Sequence, residues 1–300
     1  MASIGGGSLL FAAFAGAGVV ALGSGLMLLS LGLIGLNGAS ALQRRVDTPE
    51  WSWRGPGPMA VFWSVLPLAI LAPTPLLLLA APFGGFEQLD PAVATLGIAF
   101  STNVATTLIV ALTVVGTGAA RWREIFGQHR IASPNLPAAD RRGGALGDLA
   151  WGIALTLPIV VAAALLSALL IQGTGAVPES PLPPSVNVGA LLLNLLSAAL
   201  IAPIGEEILY RGVIAQAWAR QSGARRAIVF SAIVFALAHT LNIGGENIGD
   251  ALLVAAVAFA IRLPLGLALG WLWIRRQSLL ATITLHAAYN ALIVLAAFAA

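Results

Sequence analysis

PIGEEILYRG, residues Pro203 to Gly212, sets two adjacent carboxylates and an arginine inside a stretch that otherwise reads as a membrane helix. The flanking residues are predominantly apolar from about 188 to 217, longer than the roughly 20 residues that a helix needs to cross a hydrocarbon core. An ionisable side chain at the bilayer centre costs on the order of 3 kcal/mol on insertion scales. Three of them on one helix therefore require partners or a task, and that requirement organises the rest of the reading.

The whole chain fits such a helix. Of its 300 residues 59% are hydrophobic and 9% charged, with mean hydropathy +0.93, whereas soluble domains are about a quarter charged. The expected fold is all-α, a polytopic membrane protein built as a single bundle of about eight transmembrane helices. Candidate spans lie near 8–36, 59–82, 92–118, 149–173, 188–217, 227–241, 251–274 and 279–299. Arginines follow alternate spans: Arg44, Arg45 and Arg54; Arg121, Arg123, Arg130, Arg141 and Arg142; Arg220, Arg225 and Arg226; Arg275 and Arg276. The other connections carry only acids, Glu87, Asp90, Glu179, Glu246 and Asp250. Short Arg-rich loops stay in the cytoplasm, so both termini are expected outside, in a bacterial plasma membrane by the Ala-rich, lysine-free composition. The apolar N-terminus lacks the basic region and Ala-x-Ala site of a secretory signal and reads as a retained span. Residues 1–187 are expected to form N-terminal transmembrane helices, with a functional core in 188–300.

Several chemistries drop out at once. The chain has no cysteine, which removes disulfides, thiol catalysis and Cys-ligated metals. Its net charge of +3 resides in loops, with no case for nucleic acid. What remains is a set of polar groups on successive spans: Glu206, Glu207 and Arg211, then His239, then Arg262, then His286 and Asn290. At ~1.5 Å rise per residue, Glu206 lies ~21 Å from Arg220, His239 ~20 Å from Arg226, and His286 and Asn290 ~15 and ~21 Å from Arg276. Four spans thus bring polar groups to similar depth. Glu207 and Arg211, four apart in acid-first order, suit an ion pair, while Glu206 is turned ~100° away. A carboxylate and two imidazoles in a dry cavity can activate water, either directly or through a metal. An Asn beside them can donate to the oxyanion.

Three strings on these helices resemble a known family. EEILYR at Glu206–Arg211 fits EExxxR, FALAH at Phe235–His239 fits FxxxH, and HAAYN at His286–Asn290 fits HxxxN. In this order, over roughly residues 188–295, they resemble the CPBP intramembrane proteases, the group of the Rce-type CAAX prenyl endopeptidases and the bacterial Abi proteins. The resemblance implies a catalytic carboxylate at Glu206 supported by Glu207 and Arg211, with His239 and His286 holding the reacting water or a metal, and Asn290 at the oxyanion. Glu206, His239 and His286 satisfy a site for Zn2+ or another divalent metal and a metal-free Glu/His mechanism equally. Other intramembrane protease types do not match: no HExxH or GxSG occurs, and NIGD at Asn247–Asp250 has Asn where GxGD needs its first Gly.

The expected partners are the lipid bilayer and a membrane protein or peptide substrate, of CAAX or Abi type. The polar cavity is expected within the last four spans, reached from the cytoplasmic side or laterally from lipid. Arg262 is outside the family signature; it is expected to pair with a site carboxylate, Glu207 first, or to meet a substrate carboxylate. Gly266 and Gly270 beside it form a close-packing face. The tryptophans read as interface anchors, Phe235 as packing behind His239, and His129 as a solvated loop residue. The competing readings are a non-catalytic scaffold held by an intramembrane ion pair, and an ion-coupled transporter, although no internal repeat of the transporter kind is present.

Overall fold

The computed structural model describes residue 25 and residues 28–43, 48–49, 52–74, 89–128, 133–140, 142–180, 182–240 and 246–299. Almost all of the Gly-rich start of the first predicted span lies outside the described residues, as do the end of the second span, Arg44, Arg45, Trp51, Glu87, His129, Arg130 and Arg141.

The described residues form helices and no strand. In chain order these are α1 (Leu28–Gln43), α2 (Pro58–Leu71), α3 (Pro91–Val115), the single turn α4 (Trp122–Ile125), α5 (Gly144–Thr174), α6 (Val188–Ser222), α7 (Ala224–Ala238), α8 (Ile248–Arg276) and α9 (Leu279–Ala299). Five of them, α3, α5, α6, α8 and α9, are long and apolar enough to cross a membrane. α7 has 15 residues, about 22 Å at 1.5 Å per residue, and α1 and α2 are likewise shorter apolar helices. Each predicted span has a helix in its described part, and five of these helices reach spanning length among the described residues, so the expected count of about eight is not reached there. Lipid-facing side chains such as Leu157, Val161, Leu165 and Leu169 of α5 are exposed, as expected of an integral membrane protein.

Local chemistry sets the helix ends. Asp90 caps α3, accepting from Ala92 N at 2.8 Å, with Pro91 at the first position, where its missing N–H costs nothing. Asn187 and Asn247 cap α6 and α8 by accepting from Ala190 N and Asp250 N. Between α6 and α7 the chain reverses on Gly223 at φ +88°, a conformation open to glycine and strained for other residues.

α6 is the axis of the bundle: α2, α3, α7, α8 and α9 all pack on it, and α5 packs on α8 and α9. The α7–α8 pair is close because Gly266 and Gly270 face the backbone of Ala232 and Ile228, where a Cβ would meet the Cα atoms at 3.1 and 3.2 Å. The expected close-packing face is therefore an intramolecular one, against α7. The tryptophans divide: Trp63 and Trp271 are exposed, but Trp53 and Trp273 are buried in the core, so anchoring at an interface does not describe those two. Trp53 instead donates from Nε1 to Pro56 O at 2.8 Å.

The arginine-rich ends also do more than carry charge. Arg276 is fully buried, donating from Nε to Asp148 at 2.8 Å and from Nη2 to the carbonyl of Arg142 at 3.0 Å, while Ser278 donates to the second oxygen of Asp148 at 2.6 Å. Arg220 reaches Glu124 at 3.3 Å. Asp140 meets Arg142 at 3.1 Å and Arg275 at 3.6 Å. The hydrogen bond from Arg142 holds the Asp140 carboxyl below its ordinary pKa. These contacts clamp α5, α8 and α9 together at one end of the bundle.

Candidate active site

Pro203 determines how α6 presents its acids. It has no N–H to give the preceding turn, and around it the helix widens into π geometry over Leu196–Ile201 and again over Ile208–Ala215, leaving Ala202–Glu207 as an α segment between. Such π stretches frequently sit at functional sites. Backbone carbonyls loosened here are taken up by side chains of neighbouring helices. Asn290 Nδ2 of α9 donates to Ala198 O at 2.7 Å, and Asn103 Nδ2 of α3 donates to Ile201 O at 2.7 Å.

Glu207 points into protein and Glu206 into a cavity. Glu207 and Arg211 are both fully buried, paired at 2.9 Å. Glu207 Oε1 accepts from Arg211 Nη1 and also faces His286 Nδ1 at 2.9 Å. Arg211 is held further by Gly266 O at 3.2 Å and by the Phe235 ring, 4.8 Å from its guanidinium carbon. Neither side chain of this ion pair lines either cavity, although Glu207 Oε2 and Arg211 Nε have no hydrogen-bond partner. Its effect is on His286: a carboxylate at Nδ1 fixes the proton there and leaves the Nε2 lone pair free.

His239, just past the end of α7, is fixed in the same way. Its Nδ1 lies 2.8 Å from Phe235 O, and because a carbonyl only accepts, Nδ1 carries the proton. The two Nε2 atoms then face one carboxylate oxygen, Glu206 Oε2, at 3.7 Å from His239 and 3.9 Å from His286. Glu206 Oε2 is buried and has no protein donor. Three proton-accepting atoms around one spot repel one another unless a proton or a cation lies among them. The separations exceed a direct hydrogen bond but leave room for a shared water.

The donor types also suit zinc. Yet no group of three His, Cys, Asp or Glu side chains among the described residues is arranged to hold a metal ion.

Phe235 is more than backing. Besides its carbonyl on His239, its ring lies against His239 (4.6 Å between centroids), His286 (5.6 Å) and Tyr210 (5.3 Å). It sets the spacing of both imidazoles from one position, a role that the FxxxH string contains but does not announce.

A cavity of about 1010 Å³ opens from this cluster. Its walls include Glu206, His239, His286 and Asn290, but also Thr95 and Ala99 of α3 and Ala163 to Gln172 of α5. The last four spans therefore do not enclose it alone. It occupies the halves of α5, α6 and α9 away from the arginine-rich ends, reaching Ser180 and Leu182 in the loop after α5. The lining thus lies away from the arginine-rich side, the side that the sequence predicts to be cytoplasmic and from which entry was expected. A second cavity of about 740 Å³, lined mainly by apolar residues of α2, α3 and α6, reaches the same Glu206 and His239 from the other side.

Arg262 lines the larger cavity and donates to Ala258 O at 2.9 Å. It does not pair with Glu207, whose partners are Arg211 and His286. Tyr289, also on the cavity wall, was not singled out by the sequence: one tyrosine on an apolar helix carries no pattern of its own.

Residues 188–292 match the family described as Rce1-like, type II CAAX prenyl endopeptidase Rce1-like. No curated protein and no solved structure matches the chain. The matched stretch runs from the start of α6 into α9 and includes Glu206, Glu207, Arg211, His239, Arg262, His286 and Asn290.

Proposed function

We propose that this protein is an intramembrane endopeptidase that hydrolyses a peptide bond with water activated by Glu206. The observation that carries the reading is the convergence of Glu206 Oε2 and two imidazole Nε2 atoms at 3.7 and 3.9 Å, each imidazole already committed at Nδ1. A water in that spot donates one O–H to Glu206 and the other to an imidazole, which concentrates electron density on its oxygen. As that oxygen attacks the peptide carbonyl carbon, Glu206 takes the proton. Asn290, with one amide N–H spent on Ala198 O, has a second to offer the oxyanion. Collapse of the tetrahedral centre breaks the C–N bond, and Glu206 returns its proton to the leaving nitrogen. Glu207 and Arg211 act as positioning residues, through His286 and the fixed pitch of α6.

Zinc or another divalent ion at Glu206, His239 and His286 would supply Lewis acidity; those side chains would have to draw closer to hold it, and no step above requires it. The substrate class is a membrane-associated peptide, prenylated or not. The test is cleavage of a panel of prenylated and unmodified membrane peptides by purified wild type and Glu206→Gln in detergent, with and without chelator. Loss of a general base lowers the rate by about 10²–10⁴-fold. A folded Glu206→Gln protein that still cleaves at the wild-type rate removes the mechanism, and sensitivity to chelator would assign a metal.

A further inference from the structure

The larger cavity has a direction. On α3 no lining residue lies beyond Ala99, on α6 none beyond Glu206 and on α8 none beyond Leu265, while on α5 none precedes Ala163 and on α9 none precedes His286. The lining therefore belongs to one half of the bundle. From Ala99 to the end of α3 at Val115, and from Glu206 to the end of α6 at Ser222, 16 residues remain, about 24 Å at 1.5 Å per residue. Packing fills that stretch: Ile214 and Ala217 of α6, Leu269 and Leu272 of α8 and Leu279 of α9 are fully buried, and Trp53 and Trp273 join them in one cluster. A core of this density leaves no path for a peptide. Beyond it lie the arginine-bearing connections, with Arg276 clamped to Asp148 at 2.8 Å. No residue of those connections lines either cavity.

At the opposite end the cavity reaches Thr95 in the second turn of α3, Gln172 in the last turn of α5, and Ser180 and Leu182 in the loop between α5 and α6. That loop is fastened in place. Asn194 of α6, itself buried, donates from Nδ2 to Pro183 O and to Ser185 Oγ, both at 2.9 Å, and Pro178, Pro183 and Pro184 stiffen the chain. The connections at this end, residues 83–90, 175–187 and 240–250, contain acids and no arginine. Short Arg-rich connections stay in the cytoplasm, which places the closed end inside and the rim at Ser180 and Leu182 outside.

We propose that the site takes its peptide from the extracytoplasmic side, over this rim, and that its substrates are membrane-anchored peptides entering by their outward-facing segments rather than by cytoplasmic tails. The cutting rests on the hydrolytic reading above; the direction of access rests on packing and charge. Glu206 is 18 residues from the start of α6 at Val188, about 27 Å by helical rise, which an extended chain covers in about eight residues.

The chain has no cysteine, which makes access directly measurable. Single cysteines are introduced as Ser180→Cys at the rim, Ser167→Cys and Ala164→Cys on the cavity wall, and Arg225→Cys at the exposed start of α7. Each protein is treated with a small membrane-impermeant thiol reagent in right-side-out and in inside-out vesicles. The rim and wall cysteines are expected to react at least tenfold faster in right-side-out vesicles, and Arg225→Cys at least tenfold faster in inside-out ones. Wall cysteines that react from the Arg225 side, equally from both sides or from neither overturn the proposal, as does Arg225→Cys reacting from outside. A peptide that purified wild type cuts in detergent, made impermeant by a charged fluorophore, is then added to both vesicle types. Cleavage is expected in right-side-out vesicles alone; cleavage in inside-out vesicles, in both or in neither overturns outward access while the protease reading stands. Labelling from outside by a protein that cuts no peptide in detergent keeps the direction of access and removes the protease reading.

Discussion

Replacing Glu207 with Gln tests whether the buried ion pair serves stability, the site, or both. The substitution keeps the shape and one accepting oxygen but removes the charge that Arg211 and His286 share at 2.9 Å each. Arg211, fully buried, is left with Gly266 O and the face of Phe235. Breaking a buried pair by removing one partner costs about 3–5 kcal/mol; the retained amide oxygen places Glu207→Gln near the lower figure, roughly a hundredfold in the unfolding equilibrium at about 1.4 kcal/mol per decade. Arg211→Met costs less, about 1.5–3 kcal/mol for the lost charged hydrogen bond, because Glu207 keeps a donor in His286. The double variant leaves no unpaired charge, and its stability returns toward wild type, since buried pairs replaced by apolar groups are often neutral. Activity does not return, because the amide oxygen that now accepts from His286 Nδ1 carries no charge to support a proton on that imidazole. The assay is denaturant unfolding in detergent for the four proteins of the cycle, with turnover per folded molecule alongside. Additive destabilisation in the double variant, or full turnover in it, would refute the reasoning.

Other perturbations give separable outcomes. Gly205→Ala drives a Cβ into the Asn103 side-chain amide, so Asn103 must leave Ile201 O; a loss of about 1–3 kcal/mol and reduced turnover are expected, the latter because Glu206 is the next residue. Asp148→Asn leaves the buried Arg276 with the more distant Asp140, at 3.8 Å, as its carboxylate partner and costs about 3 kcal/mol, yet turnover per folded molecule stays unchanged, since the clamp lies at the arginine-rich end away from the cavity. Asp140 is held below its ordinary pKa of 3.8 by Arg142, so its contribution is complete above that value and lost as pH falls through the lower folded one. The stability difference between wild type and Asp140→Asn is therefore expected at pH 7 and vanishes in strong acid, by unfolding curves taken across that range.

The membrane class, the helical architecture and the membership of the polar cluster were legible in the sequence, for physical reasons. Apolar length is a local property, and an ionisable group in a span is expensive enough that Glu206, Glu207, Arg211, His239, His286 and Asn290 stand out against their background. The i,i+4 spacing of Glu207 and Arg211 was sufficient to pair them, because one helix fixes that geometry by itself. What depended on packing between helices was not legible. Arg262 carries the same signal of cost as Arg211, but only the fold shows that Glu207 is buried against Arg211 and His286 and that Arg262 faces a cavity instead. Trp53 and Trp273 sit near helix ends like any anchor, and burial of their rings depends on neighbours far away in the chain. The side on which the cavity opens was likewise hidden. It is set by how α3, α5, α6 and α9 line the cavity together, a relation between helices whose separate sequences say only that each is apolar. The sequence alone determined which residues could not be idle in a membrane; the tertiary structure decided which of them spend their charge on each other and which keep it for a ligand.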